Sequence, residues 1–155
     1  QKKIADGFIR QVKGNDYKED LISGDAVAVI GWSGDAFQLA AENDGKFEFA
    51  IPESGGTISA DNFIIPSTSK NKANVEKLIN YYYEPEVAAK VAAYVNYITP
   101  VQGAQAAMEK VDPTLVNNEL IFPTAKTQSM LHVFRNLTPA EETEFTDAFQ
   151  KATGN

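Results

Sequence analysis

The chain carries no cysteine, one histidine and one tryptophan in 155 residues. The missing thiols exclude disulfides, thiolate metal ligands and a cysteine nucleophile together. The single histidine, His132, has no second His or Cys with which to share a metal, and it lies in the semi-apolar run from Met130 to Phe134, so it reads as a surface or packing residue. Long apolar runs are also lacking: Ala26 to Trp32 and Val87 to Val95 fall well short of the roughly 18 residues a helix needs to cross a bilayer. No basic stripe is present either. Fourteen Lys and Arg are scattered against 21 Asp and Glu, for a net charge of -7, so nucleic acid is not an expected partner. An acidic surface attracts cations over long range, although acidity serves solubility just as often. The opening Gln1-Lys2-Lys3-Ile4 has no apolar signal-peptide core and reads as an interior helix, the expectation being a removed leader or a start in mid-protein.

What remains is 43% hydrophobic and 23% charged, with ten Gly and seven Pro, the composition of an ordinary globular domain. Ile4, Phe8, Ile9 and Val12 recur at helical spacing and predict a helix over 3–13, followed by a short helix over 17–23. Ala26 to Trp32, between Gly24-Asp25 and Ser33-Gly34, predicts a strand buried on both faces. Ser33 then reads as the N-cap of a helix that ends at Asn43-Asp44-Gly45. Strands are predicted over 47–51, 57–60 and 62–65, and a helical hairpin from Lys72 broken at Glu84-Pro85. Residues 104–111 read as a helix and Asp112-Pro113 as a helix start. Thr138-Pro-Ala-Glu141 is a capping box before a long final helix. Pro66 to Asn71 and Pro123 to Ser129 read as linkers, and no repeat is found.

Catalytic motifs fail on inspection. Gly31-Trp32-Ser33-Gly34-Asp35 lacks the second flanking glycine of a nucleophile elbow, and His132 is the only histidine that could activate Ser33. Gly55-Gly56 lacks the Lys-Ser/Thr of a phosphate loop. The carboxylates Glu141, Glu142, Glu144 and Asp147 read as a solvated helix face favoured by the dipole. Trp32 and Asp61 are harder to dismiss. Trp32 falls at a predicted strand-to-helix junction, where open α/β sheets put ligand crevices, against the alternative of core packing. Asp61 stands among apolar residues in Ser59-Ala-Asp-Asn-Phe-Ile-Ile-Pro66, where a cationic ligand is one partner for a carboxylate and an Asp-Asn turn is the rival.

Gly24-Asp-Ala-Val-Ala-Val-Ile-Gly-Trp-Ser-Gly-Asp-Ala-Phe37, Glu53-Ser-Gly-Gly-Thr-Ile-Ser-Ala-Asp-Asn-Phe-Ile-Ile-Pro66, Pro85-Glu-Val-Ala88 and Asn96-Tyr-Ile-Thr-Pro100 follow in that order. As a series they resemble the spermidine/putrescine-binding proteins of bacterial ABC importers, most closely from Gly24 to Gln105. The resemblance implies an α/β, periplasmic-binding-protein-like (type II) fold: a partial two-lobe receptor with a helix-rich C-terminal part. It is not an enzyme and holds no cofactor or metal. It implies a small amine held in an interlobe cleft, with aromatic rings along its methylenes and carboxylates at its ends, the two interactions that replace the water of an apolar stem with charged termini.

On that pattern Trp32 takes an aromatic cleft position and Asp61 the amine-binding carboxylate. Tyr97 matches a family aromatic and is read as hinge-side packing; the last polar cleft residue falls between His132 and Arg135. Ser59 departs from the pattern, standing where polyamine binders commonly have a second Trp, and this favours putrescine, a modified amine or γ-aminobutyrate over spermidine. Ser59 and the helix start at Ser33 could instead hold a carboxylate. Residues 1–58 are expected in one lobe, 59–105 in the other, and 106–155 back in the first. The implied partners are the amine, a membrane permease of the ABC importer, and either the missing N-terminal part of the receptor or a swapped second copy. The implied place is periplasmic or extracellular, possible anchorage lying in an absent N-terminal segment. A non-binding interaction or scaffold fragment is the rival reading.

Overall fold

The computed structural model describes residues 2–154. In chain order the elements are α1 (Lys2–Ala5), α2 (Tyr17–Ser23), α3 (Ser33–Glu42), β1 (Gly56–Ile58), α4 (Lys72–Tyr82), α5 (Pro85–Val95), α6 (Ala104–Val111), a 3-10 turn (Pro113–Leu115), α7 (Ala125–Ser129), β2 (Leu131–Val133) and α8 (Pro139–Thr153). The described residues form two compact units, one running up to Gly31 and resuming at Phe134, the other from Trp32 to Val133.

The first unit corrects two expectations. The helix predicted over 3–13 stops at Ala5, because Gly7 adopts a left-handed φ of 77° and the N–H groups of Gly7 and Phe8 close back on the carbonyls of Ile4 and Lys3. The chain beyond is fastened by charge instead. Lys13 lies 3.0 Å from Asp20 and 3.1 Å from Asp16, and Arg10 lies 3.4 Å from Asp25. Hydrogen bonds to Asp20 and Asp16 raise the Lys13 pKa above its ordinary value. The strand predicted over 26–32 is also absent: Val27 and Ile30 are 101% and 103% exposed. A strand of that apolar composition is buried only when neighbouring strands flank it, and the one sheet among the described residues joins β1 to β2 alone.

The capping box at α8 is present as read from sequence. Thr138 Oγ1 accepts from the Glu141 N–H, Glu141 accepts from the Thr138 N–H, and Arg135 grips the same carboxylate at 2.7 Å. The Arg135 contact, followed by the Thr138 bonds, lowers the Glu141 pKa from 4.5 to about 2. A depressed carboxylate contributes its stabilisation in full above its unfolded pKa and loses it as pH falls toward its folded one. The first turn of α8 is therefore expected to fray between pH 4.5 and about 2. Amide exchange at Glu141 reads this, and Glu141→Gln should flatten the response; an equally flat response in the parent would contradict it.

The second unit is built on the α5–α6 pair. Pro85 at the first helical position fixes the start of α5, and Asn96 ends it in a left-handed conformation, φ 58°. Ala89 and Ala92 let α6 approach closely, so Ala107, Met108 and Ile121 are buried with them, and Ala93, Val111, Leu115, Val116 and Phe122 pack around this cluster. Burying a side chain of Met108's size stabilises by roughly 1.5–3 kcal/mol. Asp112 caps the short turn at Pro113 by accepting from the Thr114 N–H. The stretch read as a linker at 123–129 contains α7, which Thr124 caps by accepting from the Thr127 N–H.

The strands predicted over 47–51 and 62–65 do not form. Phe47, Phe49 and Ile51 alternate in burial with Glu48 and Ala50, the period-two signature of a strand, yet no partner pairs with them among the described residues. Phe63 and Ile64 are exposed; Phe63 meets Tyr82 of α4 edge-on at 5.1 Å. β1 and β2 run parallel, with Gly56 opposite Leu131 and Ile58 opposite Val133. The chain is thus helix-rich with one small parallel sheet, short of the fuller α/β sheet the periodicities predict.

Candidate functional site

Trp32 ends the segment that enters α3, with an extended φ and ψ of -83° and 140°, and it is 52% exposed. It therefore takes the N-cap position, and Ser33, predicted to be the cap, is the first residue of the helix and half-buried. A tryptophan offers no oxygen to the free N–H groups of the first turn, and no side chain at the cap position supplies one. The Tyr97 ring lies against the first turn so closely that a Cβ on Gly34 would sit 2.5 Å from its Cε2. A hydrogen bond joins the Tyr97 phenol to the Asp35 backbone; burial, then the Asp35 charge, raise the phenol's pKa while that bond lowers it.

Ser59 and Asp61 follow β1 directly, and both are exposed. They lie beyond the carboxyl end of a strand in a parallel pair, the end where α/β sheets place ligands. The local turn bond is made by Asn62, whose Nδ2 donates to the Ala60 carbonyl at 3.3 Å, and not by Asp61. The Asp-Asn pair thus makes its local bond through Asn62. The opposite, amino end of the sheet is held by Gly55, whose φ of 93° and missing Cβ let the chain pass within contact of the Met130 carbonyl and the His132 ring. Gly56 N–H donates to that same carbonyl at 3.0 Å. His132 is exposed on β2 with its ring beside Gly55, and Arg135 is engaged with Glu141.

The four sequence-predicted residues thus form two pairs in one unit: Trp32 and Ser33 at the start of α3, Ser59 and Asp61 after β1. No enclosed cleft is built around them here. The grooves on the first unit are lined by residues such as Ile4, Val12, Phe145 and Phe149 and include none of the four. Among the described residues no group of three or more His, Asp or Glu is placed to hold a metal, and no helix is long and apolar enough to cross a membrane. Sequence reasoning assigned Tyr97 to hinge packing and missed its hydrogen bond to α3. The signal available was a glycine one residue into a helix whose cap is a tryptophan.

The chain belongs to the family described as Bacterial extracellular solute-binding protein, whose sequence profile matches residues 1–123, a family of binding proteins and not of enzymes. It is 30% identical over 148 residues to the putrescine-binding periplasmic protein PotF of Escherichia coli (strain K12), covering 92% of this chain and 39% of the relative. It is 36% identical over 98 residues to the spermidine/putrescine-binding periplasmic protein of Salmonella typhimurium, covering 63% and 27%. A putrescine/agmatine-binding protein of Pseudomonas aeruginosa is 27% identical over 135 residues, covering 84% and 36%. The matched part is therefore well under half the length of these relatives.

Proposed function

We propose that this chain is the C-terminal part of a periplasmic or extracellular receptor that delivers a small cationic amine to an ABC importer in the membrane. The observation that carries this is the similarity to relatives whose names specify putrescine, spermidine or agmatine, over most of this chain's length. Physical chemistry supports it: the half-exposed Trp32 ring suits a methylene chain and its cations, and Asp61 offers an exposed carboxylate. The full fold on this reading is the two-lobed type II arrangement, with residues 1–58 and 106–155 in one lobe and 59–105 in the other. Trp32 and Ser33 then face the cleft from one lobe and Ser59 and Asp61 from the other, and the remaining length found in the relatives completes the two walls. The bare Val27 and Ile30 support this, since strand-forming residues left in solvent are completed by further strands.

Ser59 makes the wall less aromatic and more polar, so putrescine is the preferred ligand and spermidine a weaker one. Calorimetric titration of the receptor at its full two-lobed length with putrescine, spermidine and γ-aminobutyrate tests the reading. Strongest binding of putrescine is expected; preference for γ-aminobutyrate would shift the site to a carboxylate-bearing solute held by Ser33 and Ser59. The exposure of Trp32 and Asp61 also favours a second reading, a scaffold segment without a ligand, and that reading expects no heat from any of the three.

A further inference from the structure

We infer that Tyr17 is a positioning residue of the proposed site: its buried ring, seated on Gly31, fixes the backbone from which Trp32 leaves the chain. Residues 26–31 lead into Trp32 with no ladder partner among the described residues, and a segment of that kind takes its course from what it touches. It is tied to α2 at both ends. At the first, the Ala26 N–H donates to the Asp20 carbonyl at 2.9 Å. At the last, a Cβ on Gly31 would lie 2.7 Å from Cε2, 2.8 Å from Cζ and 2.9 Å from the hydroxyl oxygen of Tyr17, so a side chain there would push the ring out of its seat. Between the two ties Val27 and Ile30 stand in solvent. Tyr17, 8% exposed, is the one buried residue among the described residues of its unit, which makes its ring the fixed point there. A helix of seven residues does not hold its place by propensity alone. Charge holds α2: the Lys13 ammonium bridges Asp16 and Asp20, and Arg10 reaches Asp25 just beyond. The peptide before Trp32 is thereby set by a packed ring, and less of the tryptophan's ordering is left to the binding step.

The inference rests on the amine-receptor reading for its link to a ligand, and its test separates the two. Trp32 is the sole tryptophan, so the emission reports it alone. In this chain without ligand, Tyr17→Ala should lower the anisotropy of that emission, while the Met108 amide in α6 keeps parent-like exchange and shows the helical core intact. Gly31→Ala, which leaves the sequence of α2 unchanged and displaces the ring, should lower it too. In the double variant the added methyl enters the space the ring has left, so the two losses should not add, the coupling expected of groups in contact. Parent-like anisotropy in both single variants, or losses that add in the double, would overturn the inference whatever the ligand proves to be. In the full-length receptor, Tyr17→Ala should weaken putrescine binding roughly two- to tenfold, the range for leaving one more side chain to be ordered on binding, and Tyr17→Phe, which keeps the ring, should restore it. Lowered anisotropy with parent-like putrescine affinity, or a Phe variant no better than Ala, would overturn the link to the site. A parent receptor that binds no putrescine would overturn the amine reading and leave the seating of Trp32 standing on the anisotropy data.

Discussion

Asp61→Asn in the full-length receptor is expected to weaken putrescine binding by about 1.5–3 kcal/mol, the range for a hydrogen bond to a charged group. The substitution preserves shape and removes the charge. It leaves the local backbone intact, because the turn bond belongs to Asn62 and the Ala60 carbonyl, and because β1 ends before this segment begins. An ammonium group that loses its carboxylate in a desolvated cleft retains only dipolar acceptors, so the loss should fall on affinity and not on folding. Thermal unfolding of the variant should match the parent. Calorimetry showing equal putrescine affinity in the two proteins would remove Asp61 from the site.

Gly55→Ala is expected to destabilise the chain by about 2–4 kcal/mol, combining left-handed strain with overpacking. Gly55 has a φ of 93°, and an added Cβ would lie 2.5 Å from the Met130 carbonyl oxygen and 2.8 Å from His132 Nε2. The imidazole can swing aside; the carbonyl cannot without breaking its bond from the Gly56 N–H and the register of β1 against β2. Gly24→Ala is the fitting comparison, since Gly24 has a φ of 81° with open space around it and so suffers the strain without the collision. Denaturant unfolding should place Gly55→Ala well below Gly24→Ala. Equal midpoints would mean that the β1–β2 contact contributes little, and that Ser59 and Asp61 are not held by the sheet end.

The helices were legible where local chemistry and tertiary packing agree. Pro85 after Glu84, the capping box at Thr138 and the Asn43-Asp44-Gly45 stop each fix a boundary through bonds made within a few residues. The strands were not, because a strand is defined by its partner. Ala26–Ile30 and Phe47–Ile51 have strand periodicity and composition, but backbone pairing requires a neighbour, and none is present among the described residues. At α1 the apolar spacing continued past Gly7, and the left-handed glycine decided the matter against it. The residues proposed to face the ligand could be picked out as an isolated tryptophan and an unexplained carboxylate. Tyr97 was harder to read, since its role depends on a contact to Gly34 and Asp35 that spacing along the chain does not reveal.

The central claim is that this chain carries part of an amine-binding cleft, and calorimetric titration with putrescine of the full-length receptor beside the isolated chain tests it most directly. The account predicts saturable binding by the receptor, weakening with added salt as charge pairs are screened, and little or no heat from the isolated chain. A receptor that binds neither putrescine nor spermidine, or an isolated chain that binds as tightly as the whole, would contradict it.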